Sequence, residues 1–590
     1  MYRKLHILLL LICTLLPTVV FGDEIDSNHE ESELSFFVLS DPINDYNAWG
    51  CGDSMNSPCN SIQDAIYSFL NKTITPSESE PEDSTPSSSE SSLSSSSYSS
   101  SSQSSSNSFP SMKRKNRALP KSTPFILNLF GENHFESHNI IHLDNLNIKI
   151  QAYQDHVTIK GHTSYVNPKP SFSISSTGLI FIKFDKIIFS DYVYNIIGVY
   201  GSSLSVAFEN CIFQDNNFNG SGQTGGPISY SSQIESQEHK HFSFSNCIYK
   251  NQKGYNGFFQ LYNATVFIYN SSFIDNENFG FFLKDSHLTI LYSIFTNNII
   301  NNQELNEVHG LIHCDNCRAT IDNSNFYNNY VRNSLLYIIN GSVDFGQTIF
   351  MNNTKSGYLD IPEALVVFKD VNSRIHKSAF VINLSNNRII YARGGKTNLE
   401  STGLVENEST GDTLIFIQDG QFFFRSTEIQ IDSDTKANSV FMVVRSRVTM
   451  DNMKIKVYSN HSTMKTSIIE CFRSELYFIS STIENYGDIQ SLLCDSETDC
   501  LSLNNGNSTF STYYGGKMES THSISCRNEV QDENQDDDDI QLDDGTIAAI
   551  VVCIFAFVII SVMSIIFFIK RNSSNQNKKY TKQIDDIDTN

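Results

Sequence analysis

One pattern recurs between Phe213 and Ile483 and constrains the fold more than any other feature of this chain. An apolar anchor returns about every 24 residues, with a small side chain two positions before it and often an asparagine three positions after it. A repeat of this length, built from short β-type runs, is typical of a solenoid, in which each unit buries its apolar face by stacking on its neighbours. The anchors are Phe213, Tyr249, Phe273, Phe295, Phe326, Phe350, Phe380, Leu404, Ile429, Ile455 and Ile483.

The runs inside each repeat, such as Ala264–Tyr269 and Leu288–Tyr292, are rich in Ile, Val, Phe and Tyr and are separated by turn residues. They predict strands, and roughly 24 residues suits one coil of three strands better than a strand–helix–strand unit of roughly 30 or more. Coils of this kind stack about 4.8 Å apart, so equivalent residues lie above one another. A β-propeller or β-sandwich also has many short strands, but neither explains an asparagine column in one phase. We therefore predict an all-β parallel β-helix solenoid over residues 122–510.

The asparagines that follow the anchors are predicted to stack at a tight corner, where their amides hydrogen-bond along the solenoid axis. Asp215 and Asp275 share another phase, which holds asparagine in other coils, and this indicates a polar turn position rather than an acid–base pair. The predicted ladder consists of Asn216, Asn276, Asn298, Asn329, Asn353, Asn383 and Asn407.

The Phe-x-x-Asn units, among them Phe273–Asn276, Phe295–Asn298 and Phe326–Asn329, carry a resemblance to known families. On these repeats the chain resembles the pectin-lyase-like superfamily of right-handed parallel β-helices. The units are similar to repeats of bacterial polymorphic outer-membrane proteins, and the overall layout resembles single-pass β-helix surface proteins of social amoebae. The resemblance covers roughly Phe36 to Asn507 and implies a right-handed solenoid. Because it rests on a repeat, it implies little about activity.

Both ends of the chain carry targeting signals. Residues 1–22 have a basic start, an apolar stretch and a small final residue, which predicts a cleaved secretory signal peptide. Residues 546–569 are uncharged and long enough for one transmembrane helix, and Lys570 and Arg571 follow at once. The positive-inside rule makes residues 570–590 a cytoplasmic tail; a lipid-anchor signal is the alternative, but such signals usually lack a charged end. We predict a single-pass type I protein of the plasma membrane or another secretory-pathway membrane, with the lipid bilayer as partner.

Three further segments complete the predicted organisation. Residues 23–75 form an N-terminal cap, in which Ser61–Leu70 is an amphipathic helix that would cover the open end of the solenoid. Residues 76–121 form a serine-rich loop whose composition predicts disorder. Residues 511–545 form an acidic stalk. The net charge of −24 argues against nucleic acid as a partner.

Ten of the twelve cysteines lie on the predicted exported side, which suggests disulfides, although connectivity does not follow from sequence. Cys211 and Cys247 occupy the same repeat phase and are expected to stack within bridging distance. Cys314 and Cys317 would suit metal ligands or a redox motif, yet no second Cys-x-x-Cys lies at zinc spacing, so a local disulfide or two corner thiols is preferred. The disulfide candidates are Cys51 with Cys59, Cys211 with Cys247, Cys314 with Cys317, and Cys494 with Cys500.

Ten Asn-x-Ser/Thr sequons lie on the exported side and suit an exposed secreted surface. Two of them, Asn383 and Asn407, fall on the predicted asparagine ladder, where stacking excludes a glycan, so we expect low occupancy there. The N-glycosylation candidates are Asn71, Asn219, Asn263, Asn270, Asn340, Asn352, Asn460 and Asn507.

The repeats offer little for catalysis. Lyases and hydrolases of the fold that the chain resembles need clustered carboxylates, and no Asp-Asp pair lies within residues 122–510. We assign no catalytic, cofactor-binding or metal-binding residue. The preferred hypothesis is a non-catalytic cell-surface glycoprotein whose ectodomain binds a glycan or a cell-surface protein as an adhesion scaffold. The alternatives are a membrane-anchored polysaccharide lyase or hydrolase of the pectin-lyase-like fold, and a structural coat component. Three carboxylates with an Arg or Lys in one groove would favour the enzyme, and a groove of Asn and Ser would favour binding.

Overall fold

The chain winds as a parallel β-helix in a computed structural model that describes residues 34–39, 58–59, 61–74, 125–131, 133–135, 139–142, 146–161, 170–176, 179–201, 204–218, 227–230, 240–301, 310–357, 364–432, 436–458, 464–487, 489–494, 500–505, 507–514 and 517–521. These residues belong to one compact unit, 1–526, and a second unit comprises 527–590. The predicted signal peptide, serine-rich loop, transmembrane helix and cytoplasmic tail lie outside the described residues. No helix in the described part of the chain is long and apolar enough to cross a membrane.

Three faces run along the solenoid, and the chain passes through them in turn, so that each coil stacks on the one before. The first sheet contains Leu34–Leu39, Phe125–Phe130, Leu146–Ala152, Ile180–Asp185, Leu204–Glu209, Lys240–Ser245, Ala264–Tyr269, His287–Leu291, Arg318–Asp322, Ser342–Gly346, Asn372–His376, Lys396–Glu400, Gln421–Arg425, Arg447–Asp451, Glu475–Ile479 and Leu501–Asn505. The second sheet contains Asn133–Phe135, Val157–Lys160, Ile187–Ser190, Ile212–Gln214, Ile248–Lys250, Ser272–Ile274, Ile294–Thr296, Asn325–Tyr327, Ile349–Met351, Ala379–Val381, Gly403–Val405, Glu428–Ile431, Lys454–Val457, Thr482–Asn485, Thr509–Tyr514 and Lys517–Thr521.

The third face is divided into two sheets. The shorter contains Asn139–His142, Phe172–Ser176, Ile197–Gly201 and Ile228–Tyr230. The longer contains Lys253–Tyr262, Glu277–Lys284, Ile299–Ile300, Gly310–Asp315, Tyr330–Val331, Ser334–Ile339, Thr354–Lys355, Ala364–Lys369, Leu384–Ser385, Arg388–Arg393, Glu408–Ser409, Ile415–Gln418, Ala437–Val444, Met464–Phe472 and Gln490–Cys494.

The regular structure continues past residue 510, where the acidic stalk was predicted to begin. Phe510 lies in register with the anchor Ile483 and is buried, so one more coil is closed after the last predicted repeat. The final strand, Lys517–Thr521, then pairs antiparallel with Thr509–Tyr514. The physical reason for the later boundary is that this coil still supplies an apolar anchor to the core.

The interior is filled by columns of stacked side chains. The middle residue of each three-residue strand in the second sheet points inward, and the register places anchor on anchor, as with Phe273 beside Phe295. From Phe213 to Phe380, the rings of successive anchors stack with centroid distances of 4.3 to 5.0 Å. Ring stacking adds to the free energy gained by burying apolar area, so this column is a main source of stability.

Many corners are turned by a residue in the left-handed backbone conformation, most often asparagine or aspartate, which tolerate it better than other residues with a Cβ. Asp215 and Asp275 occupy such corners, with φ values of 55° and 54°. Their carboxylates accept hydrogen bonds of 3.0 Å from the side chains of Asn251 and Asn297 on neighbouring coils. The polar turn predicted for these two aspartates is therefore their role in the fold.

The small residues two positions before the anchors form a buried hydrogen-bonding column. The Ser271 hydroxyl donates to the carbonyl oxygens of Tyr269, at 2.9 Å, and Phe244, at 3.3 Å. It accepts a hydrogen bond from the backbone N–H of Cys247 at 3.1 Å. Thr348 Oγ1 makes the same two types of donor contact. A small polar residue is required here because buried backbone groups need partners.

The asparagines three positions after the anchors form a continuous buried ladder. Asn276 Nδ2 donates to Asn298 Oδ1 at 2.9 Å, and Asn298 Nδ2 donates to Asn329 Oδ1 at 2.8 Å. The same contact links Asn329 to Asn353, Asn353 to Asn383, and Asn383 to Asn407. Gln252 continues the ladder, because it accepts from Asn216 at 3.0 Å and its backbone N–H donates to Asn276 at 2.9 Å. Sequence reasoning missed Gln252 because it sought asparagine alone.

The helix runs from Ile62 to Ile74. The Ser61 hydroxyl caps its start by accepting the backbone N–H of Asp64 at 3.1 Å. On its buried side, the Phe69 ring stacks on Phe125 with a centroid distance of 4.1 Å. The role of this helix as a cap of the solenoid stays a prediction.

Cysteine pairing near the C-terminal end differs from the prediction. Cys500 forms a disulfide with Cys471, with 6.0 Å between the Cα atoms, and not with Cys494. Cys494 lies in register with Cys471 on the next strand of the third face and is also disulfide-bonded. Cys59 is disulfide-bonded as well. Stacking of coils brings Cys500 to a residue one coil earlier, which closeness in sequence does not reveal. Cys51 lies outside the described residues.

Four other disulfide candidates, Cys211, Cys247, Cys314 and Cys317, are free buried thiols. The predicted bridge between Cys211 and Cys247 is therefore not formed, and of the two alternatives for Cys314 and Cys317 the structure has the pair of thiols. Cys211 and Cys247 stand in the small-residue column, where their thiols donate to the carbonyl oxygens of Glu209 at 3.3 Å and Ser245 at 3.4 Å. They make the contacts that serine makes in other coils. Desolvation by burial raises the pKa of the Cys211 thiol well above its ordinary value, which favours the protonated, hydrogen-bonding form.

Candidate ligand-binding face

A group of cations lies on the outer surface of the first sheet, where alternation along each strand turns every second side chain outward. The first and third residues of these strands, from Arg318 to Tyr477, combine four cations and two carboxylates with two aromatic rings and several amides and hydroxyls. We call this surface the basic face. Its members are Arg318, Thr320, Ser342, Asp344, Asn372, Arg374, Lys396, Asn398, Gln421, Phe423, Arg447, Thr449, Glu475 and Tyr477. The fifth residues form a further outward row, in which Asp322, Glu400 and Asp451 accompany His376 and Arg425.

Strand register arranges the basic face in two rows parallel to the solenoid axis. Asn372 lies beside Lys396 in one row, and Arg374 lies beside Asn398 in the other. Steps between coils are about 4.8 Å, so each cation has amides and hydroxyls one step away. A shallow cleft of about 290 Å³ lies over both rows, and Asp344 is the one carboxylate that lines it.

Two of the cations are available to bind a charged ligand. Arg318 and Lys396 have no carboxylate partner among the residues that the structure describes. Arg374 pairs with Glu400 at 3.1 Å, but its side chain is 52% exposed. A solvent-exposed pair of this kind contributes little free energy, so a ligand carboxylate can replace Glu400 at small cost.

Aromatic rings lie beside two cations of the basic face, Lys396 and Arg447. Lys396 Nζ lies 4.8 Å from the centre of the Phe423 ring, and the Arg447 guanidinium lies 4.6 Å from that of Tyr477. The Tyr477 hydroxyl donates to Glu475 at 2.9 Å, which raises the pKa of the phenol. Cation and ring contacts hold the long basic side chains against the sheet.

An arginine cluster extends the positive charge to the corner before the first sheet. Arg445 donates two hydrogen bonds to Asp419, from Nε at 2.6 Å and from Nη2 at 2.9 Å, and Arg393 lies 3.9 Å from the same carboxylate. The Arg445 hydrogen bond is the main cause that lowers the pKa of Asp419. Arg473 lines the same cleft as Arg445, so this corner is positive in sum.

Two carboxylates and an imidazole meet at the edge of the basic face. His376 Nε2 lies 3.4 Å from Asp344 Oδ1. A Cβ added at Gly346 would overlap both Asp322 Oδ1 and the His376 ring, so the absent side chain of Gly346 leaves the space in which these groups meet. No group of three metal-ligating side chains is found within the described ranges.

Five of the eight glycosylation candidates fall at corners of the solenoid. Asn270, Asn340, Asn352 and Asn507 are exposed, and Asn263 is partly exposed. Asn71 lies in the helix, and Asn219 and Asn460 lie outside the described residues. The two sequons expected to stay unoccupied, Asn383 and Asn407, are buried in the ladder at 1% and 2% exposure. Glycosylation itself stays a prediction.

Sequence reasoning missed the basic face, because its cations lie in different repeats and have no shared spacing. Coil lengths vary, so a fixed period does not bring Arg318, Arg374 and Lys396 into one phase. The small residue two positions before each anchor could have revealed this face. Counting back from that residue locates the first-sheet strand, and the outward positions of the strand follow from alternation.

Comparison with protein-family models and with curated proteins finds no match. Among solved structures, the chain is similar to tailspike protein 3 of bacteriophage CBA120, with 10% identity and a TM-score of 0.29 over 64% of this chain; it spans 56% of that tailspike. It is also similar to an alginate lyase of family PL6 in complex with a trisaccharide, with 12% identity and a TM-score of 0.29 over 67% of this chain and 85% of that one.

A third similar structure is the periplasmic alginate epimerase AlgG, with 9% identity and a TM-score of 0.26 over 66% of this chain and 76% of that one. Identities and scores at this level carry no information about activity. The strand register by itself shows the architecture: an all-β solenoid of parallel strands on three faces, which confirms the parallel β-helix that the repeat predicted.

Proposed function

We propose that this chain is a membrane-anchored type I glycoprotein of the cell surface that binds an acidic glycan on the basic face without cleaving it. The observation that carries the proposal is the juxtaposition of Arg318, Arg374 and Lys396 with amides and hydroxyls on one exposed sheet. In a chain of net charge −24, a local cluster of three cations around one cleft attracts a negatively charged ligand.

The chemistry of the basic face suits a carboxylated or sulfated sugar chain. An arginine guanidinium binds a carboxylate or sulfate with two parallel hydrogen bonds, and Lys396 supplies a point charge one coil away from Arg374. Asn372 and Asn398 offer both donors and acceptors to sugar hydroxyls. An extended glycan along the axis would meet Ser342, Asn372 and Lys396 in turn at three successive coils.

Binding without cleavage is favoured by what lines the cleft. The cleft over the basic face is lined by one carboxylate, Asp344, and otherwise by cations, amides, hydroxyls and apolar groups. Acid–base cleavage of a glycoside needs two placed carboxylates on opposite sides of the scissile bond. A surface with one carboxylate and several cations is better suited to hold a polyanion.

The second candidate function is a polysaccharide lyase or hydrolase, and one observation favours it. Asp322, Asp344 and His376 converge around Gly346 at the rim of the same cleft. Carboxylate and imidazole are the groups that general acid–base catalysis uses most often. Release of unsaturated or reducing sugars from a uronan, abolished by Asp344→Asn, would replace the binding proposal with this one.

The test uses the chain solubilised in mild detergent and a panel of uronans, sulfated glycans and neutral glycans. We expect an acidic glycan to bind, with an affinity that falls as ionic strength rises because exposed charges are screened. The double variant Arg318→Gln/Lys396→Gln should bind about 10-fold more weakly or worse, the effect of about 1.4 kcal/mol. The control Lys250→Gln, which removes a cation from the second sheet, should bind as the unmodified chain does.

The outcomes separate the proposals. Loss of affinity in the double variant but not in the control supports the basic face as the binding surface. Equal affinity in all three proteins, or no binding of any acidic glycan, would overturn the proposal.

A further inference from the structure

The outer surface of the second sheet is uncharged and mostly apolar over six successive coils. Each strand there has three residues, of which the first and third point outward. We call this surface the apolar face. Its members are Ser272, Ile274, Ile294, Thr296, Asn325, Tyr327, Ile349, Met351, Ala379, Val381, Gly403 and Val405.

None of these twelve side chains is charged, and all are partly or fully exposed. Ile294 is 38% exposed although it has neighbours from the coils on both sides. At the next corner, Ile382 and Leu384 are 45% and 36% exposed and extend the surface round the edge. A charge-free stretch is unusual on a protein with 65 acidic residues. Contiguous exposed apolar surfaces on soluble domains mark interaction sites.

The size of the apolar face fits a specific protein interface. Six coils at about 4.8 Å each and three residues at about 3.3 Å each cover roughly 290 Å². The adjoining corner, which is uncharged in the four inner coils, brings the surface to on the order of 600 Å². A standard specific interface buries about 800 Å² on each partner, so this surface lies at the lower end of what a specific complex buries.

A second copy of this chain is the partner that the face fits best. Two copies of a chain with net charge −24 repel each other over most of their surfaces, but not where both are uncharged. Rows of side chains repeat at each coil, so two identical faces related by a two-fold axis have matching periods and can interdigitate as packed sheets do. A glycan is a poor fit, because the face has no cation and few polar groups.

We propose that the apolar face is a self-association surface through which two copies of this chain pack sheet against sheet. The proposal is independent of glycan binding, because the basic face lies on the first sheet and its cations are not used. It also assigns a role to the exposed Ile294 and the partly exposed Ile349, whose replacement by a polar residue would leave the buried anchors Phe295 and Phe350 untouched.

The test is the mass of the full-length chain in mild detergent, measured by light scattering over a range of concentrations. We expect a concentration-dependent dimer. Ile294→Lys/Ile349→Lys places like charges in the middle of the interface and should raise the dissociation constant by at least about 100-fold. Thr289→Lys adds a cation on the outer side of the first sheet and should leave dimerisation unchanged. Circular dichroism melts show that each variant is folded.

Two further variants keep the outcome decisive. Gly403→Val adds an apolar side chain where an added Cβ meets no atom within 4 Å, and it should strengthen the dimer. Asn352 lies at the rim of the apolar face, where a glycan would hinder packing, so the measurement is repeated with Asn352→Gln. Dimers in either background that the double lysine variant dissociates support the proposal. A folded chain that is monomeric in both backgrounds, or a dimer that the double variant does not weaken, overturns it.

Discussion

At the scale of single residues, each repeat position has a defined chemical role. From Phe213 to Leu404, the residue two positions before the anchor is a small donor and the residue three positions after it is an amide, and both satisfy buried backbone groups of the neighbouring coil. The anchor Tyr249 differs from the neighbouring anchors Phe213 and Phe273 because it carries a hydroxyl. Its ring stacks between Phe213 and Phe273 at 4.3 and 4.7 Å, but its buried hydroxyl has no hydrogen-bond partner among the residues that the structure describes, and burial raises the pKa of the phenol.

We predict that Tyr249→Phe stabilises the protein. The substitution keeps the stacked ring and removes an unsatisfied buried hydroxyl, whose penalty is about 1–3 kcal/mol. Chemical denaturation should show a higher free energy of unfolding. The reverse substitution in the next coil, Phe273→Tyr, serves as the matched control and should be destabilising; equal stability of Tyr249→Phe and the unmodified chain would contradict the interpretation.

We predict that Asn329→Ala is strongly destabilising. Asn329 Nδ2 donates to the carbonyl oxygen of Phe295 at 2.9 Å and to Asn353 Oδ1 at 2.9 Å, and Asn329 Oδ1 accepts from Asn298. Alanine leaves all of these buried groups without partners, which costs about 1–3 kcal/mol each when unrelieved. Thermal unfolding should show a clear loss, whereas Asn352→Ala at the exposed neighbouring corner should cost much less.

At the scale of elements, the close stacking of coils decides which corners tolerate a side chain. Gly341 lies at the corner before a first-sheet strand, and an added Cβ there would overlap the carbonyl oxygen of Cys317 on the preceding coil. Gly403 lies in a second-sheet strand, and an added Cβ there meets nothing within 4 Å. Glycine is therefore required at position 341, where the preceding coil leaves no room for a side chain, and it is not required at position 403.

We predict opposite outcomes for alanine at these two glycines. Gly341→Ala forces two coils apart and should destabilise by about 1–3 kcal/mol, as overpacking does. Gly403→Ala should be neutral or stabilising by about 0.5–1 kcal/mol, because glycine in a strand loses more conformational entropy than alanine. Denaturation curves of the two variants test both values, and a destabilising Gly403→Ala would contradict the open space seen at that position.

At the scale of the whole molecule, stability in a solenoid is approximately a sum of terms between neighbouring coils, so the two ends are weaker than the middle. The disulfide between Cys471 and Cys500 joins two coils near the C-terminal end, over a sequence separation of 29 residues. It therefore strengthens the part of the solenoid that has neighbours on one side only.

We predict that Cys471→Ser/Cys500→Ser loosens the C-terminal coils while the central coils stay intact. Loss of a disulfide that closes a loop of this length costs about 3 kcal/mol. Hydrogen exchange should become faster from residue 464 onward and stay unchanged between residues 264 and 405. Uniform acceleration along the whole chain would show instead that the solenoid unfolds as one cooperative unit.

The solenoid could be predicted from the repeat, since Phe273, Phe295 and Phe326 carry the same local chemistry at each turn. The basic face and the pairing of Cys471 with Cys500 could not. Coils differ in length, so Arg318, Arg374 and Lys396 share no sequence period, and Cys494 stands closer to Cys500 in the chain than its true partner does.

The sequence by itself therefore determined that this chain stacks coils, which columns lie inside, and that asparagines bond along the axis. These properties follow from contacts between a residue and its equivalent one repeat away. The tertiary structure alone decided which charged, apolar and sulfur-containing side chains meet across coils of unequal length, because only strand register aligns positions that the chain separates unevenly. Both candidate surfaces, the basic face and the apolar face, belong to that second class.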